Sequence, residues 1–265
     1  MMNSRLVLLL MLLVTLSVRA QVGEYRNDFA VGVNGGLSLS QVNYLPKVPQ
    51  DQFVGKTAGV TLRYTGEKYF NSICAIVAEV NFTEMGWKER IWDADDNPVI
   101  NETTGLAEQY SRQVNYVQVP LFARLGWGRE RRGFQFFFQI GPQVGFYLSE
   151  STTANFDLDA PNVKDRISHT SGPDIVNGKT VYPYSNMYHM PVENKLDYGI
   201  AGGAGLEFSH PKVGHFMLEG RYYYGLGNVY GNTKRDYFAI SNYQNILVKL
   251  SYLVNITKTK NSKIK

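Results

Sequence analysis

The feature that most restricts this chain is an alternation of apolar and polar side chains, with period two, that recurs about eight times between Phe29 and Val254. Period two is the spacing of a β-strand, whose successive side chains point to opposite faces. The first run sets Phe29, Val31, Val33, Leu37 and Leu39 against Ala30, Gly32, Asn34, Gly36 and Ser38. Its length is close to the roughly 9–11 residues with which a tilted strand crosses a bilayer. Later runs repeat the division. Ala58, Val60, Leu62 and Tyr64 form the second apolar row, and Ile76, Ala78, Val80 and Phe82 the third. Odd positions from Val117 to Leu125 give the fourth, and Phe136, Phe138, Ile140, Val144 and Phe146 the fifth. Tyr198, Ile200, Ala204, Leu206 and Phe208, then Phe216, Leu218, Tyr222 and Tyr224, then Ile246, Val248, Leu250, Tyr252 and Val254 complete the set.

Within these runs the apolar rows carry no charge. The opposite rows carry Arg63, Arg124, Arg221 and Lys249 with Glu79, Asp197, Glu207 and Glu219, set among Gly, Ala and Ser. A soluble β-sandwich would also alternate, with its apolar face in a core and its charged face in water. Here the ions are balanced and interspersed with small residues, the make-up of a narrow lumen in which each ion needs a partner. The expectation is an all-β fold: a closed, antiparallel, up-and-down transmembrane barrel of about eight strands.

The connections point the same way. They alternate in length: 40–52 medium, 66–71 short, 87–110 long, 128–133 short, 149–195 very long, 209–214 short and 227–240 medium. Long extracellular loops opposite short periplasmic turns are the habit of outer-membrane barrels, and an even strand count puts both termini at the short-turn end. A structureless loop of forty-odd residues is unusual in a compact soluble domain.

Residues 1–20 read as a signal peptide: Arg5, an apolar run from Leu6 to Val14, and small or compact residues at Val18 and Ala20 before Gln21. The apolar run is short for a membrane-spanning helix. The remainder divides into a lead over 21–28, the barrel over 29–255 and a basic tail over 256–265. The formal charge is +4, but Arg5 and Arg19 belong to the leader, so nothing basic enough for nucleic acid remains. Cys74 is the single cysteine, which excludes an internal disulfide. The mean hydropathy of −0.24 would pass for a soluble chain, as it does for barrels whose inner faces are polar.

Aromatic residues near the run ends, including Tyr64, Tyr69, Phe70, Trp87, Trp92, Tyr110, Trp127, Phe146, Tyr147 and Tyr222 to Tyr224, suit the membrane–water interfaces. Pro120 and Pro142 fall inside predicted strands and remove ladder donors, so a bulge, a local break or a one-residue slip is expected at each.

Five segments in order resemble the PorT-like outer-membrane β-barrel family. They are the run from Phe29 to Gly36, Tyr116–Arg124 with its Pro120-Leu121 pair, Phe136–Leu148 with Gly141-Pro142 and Gly145, Asp197–Glu207, and Arg221–Asn228. The resemblance implies the barrel fold and makes Pro120 a feature of the family. It also implies an outer-membrane location in a Gram-negative cell envelope and a link to protein secretion machinery. Residues 149–195 and the tail after Asn255 have no counterpart in the pattern.

For chemistry, the inward ions Arg63, Glu79, Arg124, Glu207, Glu219, Arg221 and Lys249 suit either a structural ion-pair network or a polar pathway. An eight-stranded barrel has room for side chains and not for an aqueous channel. His169, His189, His210 and His215 form no recognisable triad with a nucleophile, so no catalytic residue is assigned. Asp93, Asp95, Asp96 and Asn97 begin like a calcium loop, but Pro98 and Thr104 stand where that loop needs Gly and Glu, so no metal and no cofactor is expected. Cys74 faces lipid as an inert apolar residue, and Lys258, Lys260, Lys263 and Lys265 read as a solvated tail or a contact with anionic lipid. The aromatic, proline-rich loop 149–195 carries Phe156, Tyr182, Tyr184 and Tyr188, which suit contact with a protein partner or a fold back over the barrel mouth. A non-enzymatic, monomeric scaffold contacting outer-membrane lipid and a protein partner is the leading expectation; a porin or a lipid-modifying enzyme are the rivals.

Overall fold

The structure, a computed structural model, describes residues 23–45, 47–93, 95, 97–101, 103–158, 174–176, 179–181, 188, 191–231 and 238–260. The leader, Asp96, His169, Tyr182, Tyr184, His189 and residues 261–265 lie outside the described residues.

Eight long strands carry the fold: β1 Glu24–Leu45, β2 Phe53–Tyr69, β3 Ser72–Arg90, β4 Gln109–Gly128, β5 Gly133–Ala154, β6 Leu196–His210, β7 Gly214–Gly225 and β8 Ile240–Thr257. Each pairs antiparallel with its neighbours in sequence, and β1 closes on β8 from Phe29↔Thr257 to Leu45↔Ile240. The pairing of β3 with β4, from Ser72↔Trp127 to Arg90↔Gln109, completes the ring. The short pair Gln50–Asp51 adds to the end of β3, and a small hairpin joins Asp174–Val176 to Lys179–Val181.

Parity holds around the ring. Even positions of β1 and β4 point in, as do odd positions of β2, β3, β6, β7 and β8 and of β5 up to Tyr147, beyond which a bulge turns even residues such as Glu150 inward. The apolar rows form a continuous outer belt in which Leu250 is 65% exposed, Val33 60% and Leu121 51%, far from the dry packing of a sandwich core. Turned away from the buried charged and polar side chains inside the ring, such a belt is stable only against hydrocarbon.

The strands are longer than the alternation of outward apolar residues. At 22 residues, β1 runs about 70 Å along its length and about 55 Å along the axis at a tilt near 40°, nearly twice the hydrocarbon thickness. The extra length lies at the long-loop end, and there the pattern inverts. On β4 the outward row Leu125, Ala123, Leu121, Val119, Val117 gives way to Asn115, Gln113 and Ser111, while the inward row becomes Tyr116, Val114 and Tyr110. On β3 the outward row passes from Phe82 to Glu84 and Lys88, and Met85 and Trp87 turn in. Above the membrane the barrel is built like a soluble one. Segments 40–45, 87–90, 109–110 and 149–154, read from sequence as loop, are therefore strand.

The prolines produce no bulge. Pairing on both sides of Pro120 keeps one register, with Pro120↔Gln143 and Ala123↔Ile140, and only the ladder pairs at Leu121 and Phe122 drop out. Rigid neighbours on each side hold the register across the gap. The bulge in this pair lies elsewhere, between Asn115 and Tyr116, where Leu148 is the extra residue. The aromatic belt also needs correction: Trp87, Tyr110 and Tyr223 are inward and at most 1% exposed, whereas Tyr64, Trp127, Tyr222 and Tyr224 face out.

Candidate functional site

The lumen is filled by three layers of side chains. Glycines on the inner face let adjacent strands draw close around it: a Cβ on Gly36 would fall 2.1 Å from the Val248 carbonyl oxygen of the neighbouring strand, and one on Gly141 1.9 Å from that of Leu121.

In the layer nearest the short turns, Glu207 accepts from Arg63 Nη1 at 2.7 Å and pairs with Arg124. The Arg124 guanidinium also stacks over the Phe137 ring, 3.8 Å from its centroid, and donates to Gln135. The other oxygen of Glu207 lies 2.7 Å from Nδ1 of His215 and accepts from the Ser209 hydroxyl at 3.1 Å. Asn255 Nδ2 lies 2.8 Å from the second ring nitrogen of His215. Parity alone could have flagged Ser209 and His215 as inward partners of Glu207, since all three stand at odd positions of strands whose odd positions face in.

The middle layer joins four ions. Arg221 donates to both Glu79 oxygens at 3.0 Å and to Glu219 at 2.8 Å. Lys249 Nζ reaches Glu79 at 2.5 Å and Glu219 at 3.6 Å. Gln139, Asn81, Asn34 and Thr61 extend this layer by hydrogen bonds. The seven inward ions named from sequence thus fall into two groups, Arg63–Arg124–Glu207 and Glu79–Glu219–Arg221–Lys249. Asp197 joins neither; its carboxylate is held by the Tyr223 hydroxyl at 2.6 Å.

The third layer, toward the long loops, is aromatic. Tyr44, Trp87, Tyr110, Tyr116 and Tyr243 from the strands pack with Tyr230 and Phe238 from the last loop and with Phe156, Tyr188 and Val192 from the longest one. Tyr44 and Phe238 have ring centroids 4.4 Å apart, and Tyr110 and Tyr188 4.6 Å. Phe156 and Tyr188 are therefore buried in the mouth, and neither offers its ring to an external partner. Two polar groups cross this layer. Glu89 accepts from the Trp87 indole at 2.7 Å, and Arg112 bridges Glu150 at 2.7 Å and the Tyr230 hydroxyl at 3.2 Å. Burial pushes the Glu89 carboxyl up to about 7, against the opposing pull of the Trp87 donor and the Arg112 charge.

Outside the mouth, Asp93 accepts the backbone amides of Asp95 and Asn97, an acidic turn that caps itself. Among the described residues no group of His, Cys, Asp and Glu is arranged to hold a metal. The same segment, residues 91–108, leaves Trp92, Ile100 and Leu106 exposed; of these the sequence reading named only Trp92, as an interfacial aromatic.

Among solved structures the chain is similar to Neisserial surface protein A, at 8% identity and a TM-score of 0.36, over 84% of this chain and 96% of that one. It is similar also to OprG from Pseudomonas aeruginosa, at 11% identity and a TM-score of 0.37, over 88% and 98%. A third is Ail, the attachment invasion locus protein of Yersinia pestis, at 12% identity and a TM-score of 0.32, over 87% and 99%. No curated protein matches. Residues 19–231, most of the chain, match the family described as outer membrane protein beta-barrel domain, in keeping with the closed ring and its lipid-facing belt. The chain belongs to the outer membrane protein beta-barrel domain family and is a protein of the outer membrane.

Proposed function

We propose that the protein is a non-enzymatic scaffold of PorT-like type, closed to solutes, that meets a protein partner through its extracellular face. The observation that carries this reading is the lumen itself, occupied from one end to the other by two ionic layers and an aromatic plug. A solute would have to displace desolvated ion pairs whose separation is costly. The exposed Trp92, Ile100 and Leu106 on hairpin 91–108 support a partner surface there, since aromatic and aliphatic anchors ringed by polar groups are what protein interfaces use. His215 supports a structural role over a catalytic one: both its ring nitrogens are engaged, and Ser209 and Glu207 meet the same nitrogen, so no relay from base to nucleophile is laid out. The PorT-like motifs make a secretion apparatus the partner class to examine first.

The test has two parts. In planar bilayers the purified barrel should show no steady single-channel conductance; steady ion flow would refute the closed scaffold. In cells, a deletion strain complemented with Trp92→Ser/Leu106→Ser should fail to recover its secreted-protein profile while keeping the barrel at normal abundance. Full recovery would refute the partner surface.

A further inference from the structure

The outer wall carries an asymmetry that the scaffold reading does not use. Register chains align one outward row across five strands: Phe134 with Phe208, Phe208 with Phe216, Phe216 with Tyr252, and Tyr252 with Val33. The next row toward the bilayer centre reads Leu206, Leu218, Leu250 and Gly35. Where Gly35 presents no side chain the wall is indented, and these two rows line a concavity of about 480 Å³ that is almost wholly apolar. Its aromatic rim is ordered, with Phe134 and Phe208 centroids 5.1 Å apart and Phe216 and Tyr252 4.9 Å.

Cations stand just past this rim, at the short-turn end. Lys212 lies in the turn between Phe208 and Phe216, Arg132 two residues before Phe134, and Lys258 further along the outward row of Tyr252; all three are exposed. The turn is fastened to the concavity, because the Tyr252 hydroxyl donates to the Val213 carbonyl at 2.6 Å and Lys258 Nζ donates to that of Pro211 at 3.3 Å. Of the carboxylates at this end, Glu130 pairs with Arg26 and Lys68, Glu24 pairs with Arg26, and Asp28 accepts the Thr259 amide; none of them pairs with these three cations. The three cations make no ion pair with a described carboxylate and stand at the short-turn side of the recess's aromatic rim.

We propose that this face is a binding site for an anionic, diacyl phospholipid of the inner leaflet, with an acyl chain in the concavity and the phosphate over Lys212, Lys258 and Arg132. An apolar recess alone would take any lipid; the cations select the anionic one.

Native mass spectrometry of the full-length barrel in detergent tests this directly. Phosphatidylglycerol and phosphatidylcholine of identical chains are titrated separately. Phosphatidylglycerol is expected to bind one site at least about tenfold more tightly, the fold-change that corresponds to about 1.4 kcal/mol. The triple variant Arg132→Gln/Lys212→Gln/Lys258→Gln should bind both lipids alike, and Leu218→Trp, which fills the recess, should weaken both. Equal binding by the unaltered protein would overturn the proposal, as would retention of the preference in the triple variant. Displacement of the lipid by equimolar glycerol phosphate would overturn it too, since the recess would then contribute nothing. All four positions are exposed, so a normally folded barrel is expected in each variant.

Discussion

Glu207 is the single carboxylate shared by two buried arginines, and its removal should be among the most damaging single changes in the lumen. In Glu207→Gln the shape is kept, but Arg63 and Arg124, 6% and 3% exposed, lose their counter-charge. Breaking one buried pair by removing a partner costs about 3–5 kcal/mol. The amide can still accept one hydrogen bond and Phe137 still faces Arg124, so about 4 kcal/mol is expected, near a thousandfold in the folding constant. The assay is reversible urea unfolding of the barrel in lipid vesicles, followed by the fluorescence of Trp127 on the outer wall. Adding Arg124→Met to Glu207→Gln should restore at least about 1 kcal/mol, because one stranded cation is then replaced by an apolar chain of similar reach. A loss below about 1 kcal/mol in Glu207→Gln alone, with both arginines present, would refute the reasoning: water would then already solvate this layer, and the lumen would not be sealed.

Other consequences can be checked alongside. Glu89 has a folded-state pKa raised to about 7 from its usual 4.5, so its contribution is complete below about pH 4.5 and is lost as pH rises to 7; Glu89→Gln should flatten that part of a stability-versus-pH curve, and an unchanged slope would assign it to other groups. Leu121→Arg, in the centre of the belt, should cost about 2–4 kcal/mol, whereas Gln113→Arg, on the same face of β4 above the membrane, should be near neutral; equal effects would misplace the membrane edge. Tyr110→Ala removes the ring under Tyr188 and should speed cleavage of loop 155–195 by external protease in whole cells, with the barrel left intact; unchanged cleavage would mean the loop is held elsewhere.

Strand positions, parity and the identity of the inward ions were legible because the hydrocarbon forces a one-sided code on every crossing. The code stops at the membrane edge. At Tyr116-Val117 two apolar residues stand side by side and the rows exchange character, which in a single sequence looks like the end of a strand. Trp87 and Tyr110 were placed in the interfacial belt for that reason, and the upper segments of β1, β3, β4 and β5 were read as loop. Which ion meets which was not legible either. Arg221 finds Glu79 across 142 positions, a contact set by barrel circumference and strand tilt. The concavity at Gly35 was invisible for the same reason, as its walls come from five strands brought level by register.

The seam between β1 and β8 ties sheet closure to charge neutrality. Lys249 rides on β8, while its acceptors Glu79 and Glu219 ride on β3 and β7. Until the last strand docks, the middle layer holds two carboxylates and the single guanidinium of Arg221, a surplus negative charge facing an interior not yet shut off from water. Zipping the final strand therefore delivers the missing cation in the same motion that excludes solvent. An assembly intermediate stalled at seven strands would be marked by that unmatched anion.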